Sequence, residues 1–234
     1  MLSASNMCTP SGHPDYAEPT SILLLPAFTI IENVTPASVP ELITTYIDTA
    51  PTTTTPLTSG AVRRPLPAPL PTASQLTSRP SPHRALILLC SQRTRDARCG
   101  QSAPLLRKEL ERHLRPLGLF RDLDDERPGG VGIYFISHVG GHKYSANMMV
   151  YRRPDAFGLD GLQRAKLEGD VFPMPSAVLP EDPERGAAQC IWLARIRPED
   201  CEGIVKFTVL QGKVIKPERQ LRGGFDRQRG VFSW

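Results

Sequence analysis

Ala85-Leu-Ile-Leu-Leu-Cys90 is a continuous apolar run that ends on a cysteine, and Val131-Gly-Ile-Tyr-Phe-Ile136 is a second that runs straight into Ser137-His138-Val139-Gly140-Gly141-His142. Runs of this length without polar alternation belong to strands buried on both faces of a sheet. Between them, Ser91 to Gly100 reads as a polar loop carrying Arg93, Arg95, Asp96, Arg98 and Cys99. A helical stripe follows at Leu106, Leu110, Leu114 and Leu117, with Ser102 as N-cap, Pro104 in the first turn and Gly118 as the stop. Ala146 to Tyr151 and Cys190 to Ile196 read as third and fourth strands, and Pro198-Glu199-Asp200 opens a helix through Leu210. Residues 152–188 have weak periodicity, with one helical turn expected near 162–167. The order strand, helix, three strands, helix predicts a small α/β sandwich.

Outside this core the composition changes. The chain has 234 residues, 24 of them proline, and a formal charge of +4. Prolines, threonines and serines crowd its first third, which offers too little large apolar surface to offset the entropy of ordering. The expected organisation is a mostly disordered tail and linker at 1–82 with one apolar segment at 22–31, an ordered domain at 83–216 and a C-terminal tail at 217–234. The apolar segment is interrupted by Pro26 and is about half of the ~20 residues a membrane helix needs. The first basic residue is Arg63, so no presequence is readable. Five cysteines, an odd number, argue against a disulfide scaffold and for metal or thiol chemistry in a reducing compartment. The arginines are scattered among acids without interleaved aromatics, which argues against nucleic acid. No nucleophile–base arrangement, phosphate loop or carboxylate pair stands out.

Chemistry concentrates at the strand exits. Cys90 and Cys99 flank the first loop, and His138 and His142 flank Gly140-Gly141 in the second. Adjacent strand ends bring the two pairs together, and the glycines permit a tight loop. Thiolate plus imidazole ligation suits zinc, copper or a two-iron cluster. A metal-free thiol pair is the other reading.

Leu89-Cys90 through Cys99-Gly100, Phe135-Ile-Ser-His138-Val-Gly-Gly-His142-Lys-Tyr-Ser-Ala-Asn147, and Ile191-Trp192-Leu-Ala-Arg195 with Pro198-Glu-Asp200 together resemble the sucrase/ferredoxin-like family of fungi and plants. The resemblance covers roughly residues 84–234. It implies a thioredoxin-like ferredoxin fold holding a [2Fe-2S] cluster, with Cys90 and Cys99 on one iron and His138 and His142 on the other. Imidazole ligation implies a higher and more pH-dependent potential than all-cysteine ligation. Arg93, Arg95, Arg98 and Lys143 would offset cluster charge or dock an acidic redox partner.

The function so implied is electron transfer or redox sensing, in mitochondria, cytoplasm or both, with an unspecified redox donor or acceptor protein. It makes the chain an electron carrier or redox-quality-control protein rather than a hydrolase. The alternatives are a thioredoxin-like thiol oxidoreductase using Cys90 and Cys99, or a structural zinc-binding interaction module. Leu23-Leu-Leu-Pro-Ala-Phe28 is similar to a segment that follows an extra N-terminal half in two-part relatives, so that half is expected to be missing. The end at Trp234 is similar to tails recognised by the cytosolic iron-sulfur assembly machinery. Cys190 and Cys201 are expected as buried apolar residues, His113 on the helix stripe, His83 in the linker, and Asp122 to Glu126 as a solvated turn.

Overall fold

The computed structural model describes residues 1–10, 12, 15, 18–57, 75–139, 142–161, 174–176 and 186–232, with only the main chain of His142. The helical turn expected near 162–167 and the C-terminal Trp234 lie outside these residues. In chain order the strands and helices begin with β1 (Thr20–Leu24), β2 (Thr29–Val34), α1 (Val39–Leu42), β3 (Thr77–Pro80), β4 (Ala85–Cys90) and α2 (Ala97–Leu114). They continue with β5 (Phe120–Arg121), β6 (Val131–Ile136), β7 (Met148–Arg152), β8 (Gln189–Leu193), α3 (Cys201–Gly203), α4 (Pro217–Gln220) and β9 (Leu221–Asp226).

The chain has an α/β fold. Its main sheet runs β5-β6-β4-β7-β8-β9, with β4 parallel to β6 and antiparallel to β7. All six residues of β4 are buried, as its unbroken apolar run requires. Ala85, Ile87 and Leu89 face a core shared with Leu106, Leu110 and Leu114 of α2, and Leu86, Leu88 and Cys90 face a second cluster with Tyr134, Ile136 and Val139. The period-2 alternation of the strand therefore sends Cys90 to a different layer from the α2 leucines. Gly118 ends the helical stretch with φ +66°, a left-handed conformation that glycine adopts without strain.

The helix begins earlier than its sequence indicates. Asp96, rather than Ser102, is the N-cap, its carboxylate accepting from the Arg98 N–H at 2.9 Å. The Ser102 hydroxyl instead donates to the Arg98 carbonyl at 2.7 Å. Cys99 thus moves from the loop into the first helical turn.

The N-terminal third carries structure that composition did not foretell. The single strand expected at 22–31 is a hairpin, β1 with β2, and β3 completes a separate three-stranded antiparallel sheet. Ile31, Val34, Leu42 and Leu76 form its small core. Phe28 is fully buried under the Arg153 guanidinium, 4.9 Å from its ring centroid, and the Ala187 N–H donates to the Pro26 carbonyl at 2.7 Å. At the chain start, Ser3 to Asn6 lie along the edge of β6 that the two-residue β5 leaves open. Ser137 N–H donates to the Ala4 carbonyl at 2.8 Å and Asn6 N–H to the Phe135 carbonyl at 3.2 Å. Among the described residues no helix is long and apolar enough to cross a membrane.

Candidate functional site

Cys90 is the last residue of β4 and Cys99 the third of α2, so one βα turn carries both thiols to the carboxyl end of the central strand. Both are buried and outside any disulfide, at 1% and 0% exposure, and Cys99 lies near enough to act on the Cys90 thiol. Burial first, and the neighbouring Cys99 second, push the Cys90 thiol up to about 11, against the smaller opposing effect of the Val139 and Gln92 N–H groups. At neutral pH Cys90 is a thiol. Cys99 also meets a hydroxyl, its sulfur lying 3.3 Å from Ser145 Oγ. Gly100 lets the Ser91–Asp96 loop fold back on the helix start, since a Cβ there would sit 2.5 Å from Arg93 Cβ.

The expected metal centre is not found among the described residues, which do not include the His142 side chain. Among the described residues no three His, Cys, Asp or Glu side chains converge where a metal ion would sit. The two thiols come together, but Val139 packs into their cluster, buried, and directs its N–H at Cys90. Next to it, the His138 main chain is held by the N-terminal strap: Ser3 Oγ accepts from its N–H and donates to its carbonyl, both at 3.1 Å. The [2Fe-2S] cluster assigned to Cys90, Cys99, His138 and His142 is therefore corrected, and with it the iron-sulfur, metal-binding and electron-transfer character it carried. The zinc-module alternative meets the same finding.

The sequence comparison settles the family. The sucrase/ferredoxin-like family matches residues 1–223, a span that takes in the N-terminal sheet as well as the strand-end motifs. The chain belongs to the sucrase/ferredoxin-like family. Among curated relatives, it is 50% identical over 70 residues to actin patches distal protein 1 of Saccharomyces cerevisiae, covering 30% of this chain and 22% of that protein. It is 31% identical over 134 residues to altered inheritance of mitochondria protein 32 of Clavispora lusitaniae, covering 57% and 33%. The protein of that name from Debaryomyces hansenii is 31% identical over 131 residues, covering 56% and 33%. In each case the match spans a third or less of the relative. No solved structure matches the chain significantly.

Other residues near the strand ends, some singled out in the sequence and some not, acquire surroundings in this family member. Arg98 is paired with Asp96 at 2.8 Å, whereas Arg93 and Arg95 are exposed on the loop above the thiols. Lys143, Arg195 and Arg222 gather around the Tyr144 ring, one residue from Ser145. Neither Ser145 nor this group has a periodicity or spacing signal, because the contacts join three distant segments. Cys190 and Cys201 are buried, each pushed up to about 12 by desolvation, as expected of apolar packing thiols. His83, read as a linker residue, is buried against Tyr134 with Nε2 3.2 Å from the phenol oxygen. Together they line a cleft of about 230 Å³ whose acidic rim includes Asp124, Asp125 and Glu126. The solvated turn is thus partly a wall.

Proposed function

We propose that this chain is a thiol-based redox module whose working pair is Cys90 and Cys99, opening and closing as dithiol and disulfide in a thioredoxin-like setting. The observation that carries the proposal is the placement of two buried, unbridged thiols on one βα turn, near enough that Cys99 acts on Cys90. Burial and the high position of the Cys90 thiol make the reduced pair slow to react with adventitious oxidants, which suits a sensor more than a rapid catalyst. A mitochondrial working place is supported by the name of the relatives called altered inheritance of mitochondria protein 32. The whole relatives' activities do not transfer, given the share of them that is matched.

Oxidation with diamide, followed by thiol counting after denaturation, tests the proposal. Wild-type protein is expected to lose two titratable thiols, and Cys99→Ser and Cys90→Ser variants to lose none through this pair. An undiminished count in the oxidised wild type would end it.

A further inference from the structure

Two irregularities of the main chain bring cations to one aromatic ring. In the pairing of β8 with β9, Trp192 lies opposite Gly223 and Leu193 opposite Leu221, so Arg222 is an extra residue, a bulge on the edge strand of the main sheet. Bulges at sheet edges re-aim a side chain out of the regular ladder. Arg195, just beyond β8, is held at φ +56°, a left-handed conformation costly for its type, while its N–H donates to the Tyr144 carbonyl at 3.0 Å. Both guanidiniums end at the half-buried Tyr144: the Arg222 guanidinium carbon is 3.7 Å from the ring centroid and that of Arg195 5.1 Å, with Lys143 Nζ at 5.8 Å.

All three cations are exposed, and among the described residues none of them is in an ion pair. Other cations of the same region are neutralised: Arg197 is paired with Glu199 at 3.5 Å and Lys216 with Asp200 at 2.6 Å. The two guanidinium carbons at Tyr144 are about 9 Å apart at most, near the Debye length at physiological salt, so their charges repel. Cation–π attraction to the ring offsets part of that cost. Backbone strain, a bulge and residual repulsion thus meet at one exposed place, and an anion from outside the chain would relieve the last of them.

We propose that Lys143, Arg195 and Arg222 around Tyr144 form a docking surface for an acidic segment of a partner protein, one that presents several carboxylates in a row. The ring fills the middle of the cation group, the place a single small anion would take, so the charges face separate anionic groups spaced along a chain. A guanidinium stacked face-on to a ring keeps its N–H edge free, and that edge matches a carboxylate bidentately. Arg222 closes the ring face it covers to a nucleobase, which removes the stacking platform that single-stranded nucleic acid uses. Opposite charge on the partner speeds encounter and fixes its register on the surface. Docking here needs neither Cys90 nor Cys99 to be exposed or to react, so it stands or falls apart from the thiol pair.

The test follows the fluorescence anisotropy of a rhodamine-labelled octa-aspartate peptide titrated with the full chain at low ionic strength. Wild-type protein is expected to bind the peptide and to release it near 1 M salt, where the Debye length is about 3 Å. Arg195→Gln with Arg222→Gln should weaken binding about tenfold, and Lys143→Gln by less. Lys108→Gln with Arg112→Gln, which removes the same charge from exposed positions of α2, should change it by less than about twofold. Equal losses for the two pairs would reduce the effect to net charge and overturn the docking surface, as would a wild type that does not bind. Tighter binding of octathymidylate than of octa-aspartate would assign the cations to nucleic acid and overturn the acidic-protein partner. If the Arg195→Gln, Arg222→Gln protein self-associates while its peptide affinity is unchanged, the cations guard the β9 edge against strand pairing and dock nothing.

Discussion

Taking the protein from pH 7 to pH 4 is expected to remove about 3 kcal/mol of stability through one side chain, His83, at about 1.4 kcal/mol per unit of pKa shift. The ring is 2% exposed, and burial first, then the Arg121 guanidinium, lower its pKa from 6.5 to about 4, with Asp125 pulling the other way and Arg153 adding a smaller lowering effect. The fold is built around the neutral ring. Gly132 on β6 has no side chain because a Cβ there would lie 2.5 Å from His83 Cδ2. The sign follows from the direction of the shift. Above pH 6.5 the histidine is neutral in both states and its contribution is fully present. Below 6.5 the unfolded chain binds a proton that the folded one refuses, and stability drains away as the pH falls through about 4. Asp125, which Arg127 holds well below the usual carboxylate range, withdraws its support only at lower pH still. Urea titrations at pH 7, 5.5 and 4 check this: His83→Gln should flatten the slope in that window. Parallel slopes for the two proteins would contradict it.

The second large effect is expected from Arg152→Met, a loss of about 3–5 kcal/mol, the range for breaking a buried charged network from one side. Arg152 ends β7 at 2% exposure. Its Nε donates to the Val209 carbonyl at 2.7 Å, Nη1 to Gln189 Oε1 at 3.1 Å and Nη2 to the Leu210 carbonyl at 3.2 Å, and both Nη atoms reach the Asp160 carboxylate. Val209 and Leu210 follow α3 in a wider helical turn, so this one guanidinium ties that turn to the sheet. Methionine fills much of the volume but leaves two main-chain carbonyls, the Gln189 amide oxygen and a carboxylate without this donor. Gly212 supports the same network, since any Cβ there, at φ +66°, would collide with Arg152 Nη1 and Gln189 Oε1. Asp160→Asn should cost less, because the carboxylate is 28% exposed and water can replace part of what is lost. Equal losses for the two variants, or a cost under about 1 kcal/mol for Arg152→Met, would show that the network is not holding the helix.

These two side chains also show where sequence reading succeeds and stops. The unbroken apolar runs at 85–90 and 131–136 announced the central parallel pair, since only strands buried on both faces tolerate such runs. The α2 stripe was equally plain, but its start was misplaced: Ser102 satisfies N-cap chemistry as well as Asp96 does, and only the fold decides which carboxylate or hydroxyl meets a free N–H. The N-terminal sheet was hidden because β2 finds its second partner far along the chain, Thr29 opposite Pro80, and threonine- and proline-rich composition carries no trace of that pairing. His83 and Arg152 gave no signal because their burial is created by distant segments. At the site, the place of Cys90 at the end of β4 was legible from pattern, whereas Cys99, read in the loop, lies in the first turn of α2. Where the neighbouring side chains go was not legible: among the described residues, Val139 shares the sulfurs' cluster.

A redox titration of the Cys8→Ala chain in glutathione buffers, quenched with acid and mapped by peptide mass spectrometry, bears most directly on the thiol pair. The account predicts one reversible two-electron transition in which the peptides containing Cys90 and Cys99 become linked, while Cys190 and Cys201 remain alkylatable after unfolding. If Cys90 and Cys99 stay reduced across the whole range of poise, or are found only in mixed disulfides or in links to Cys190 or Cys201, they are packing residues and the module works by other means.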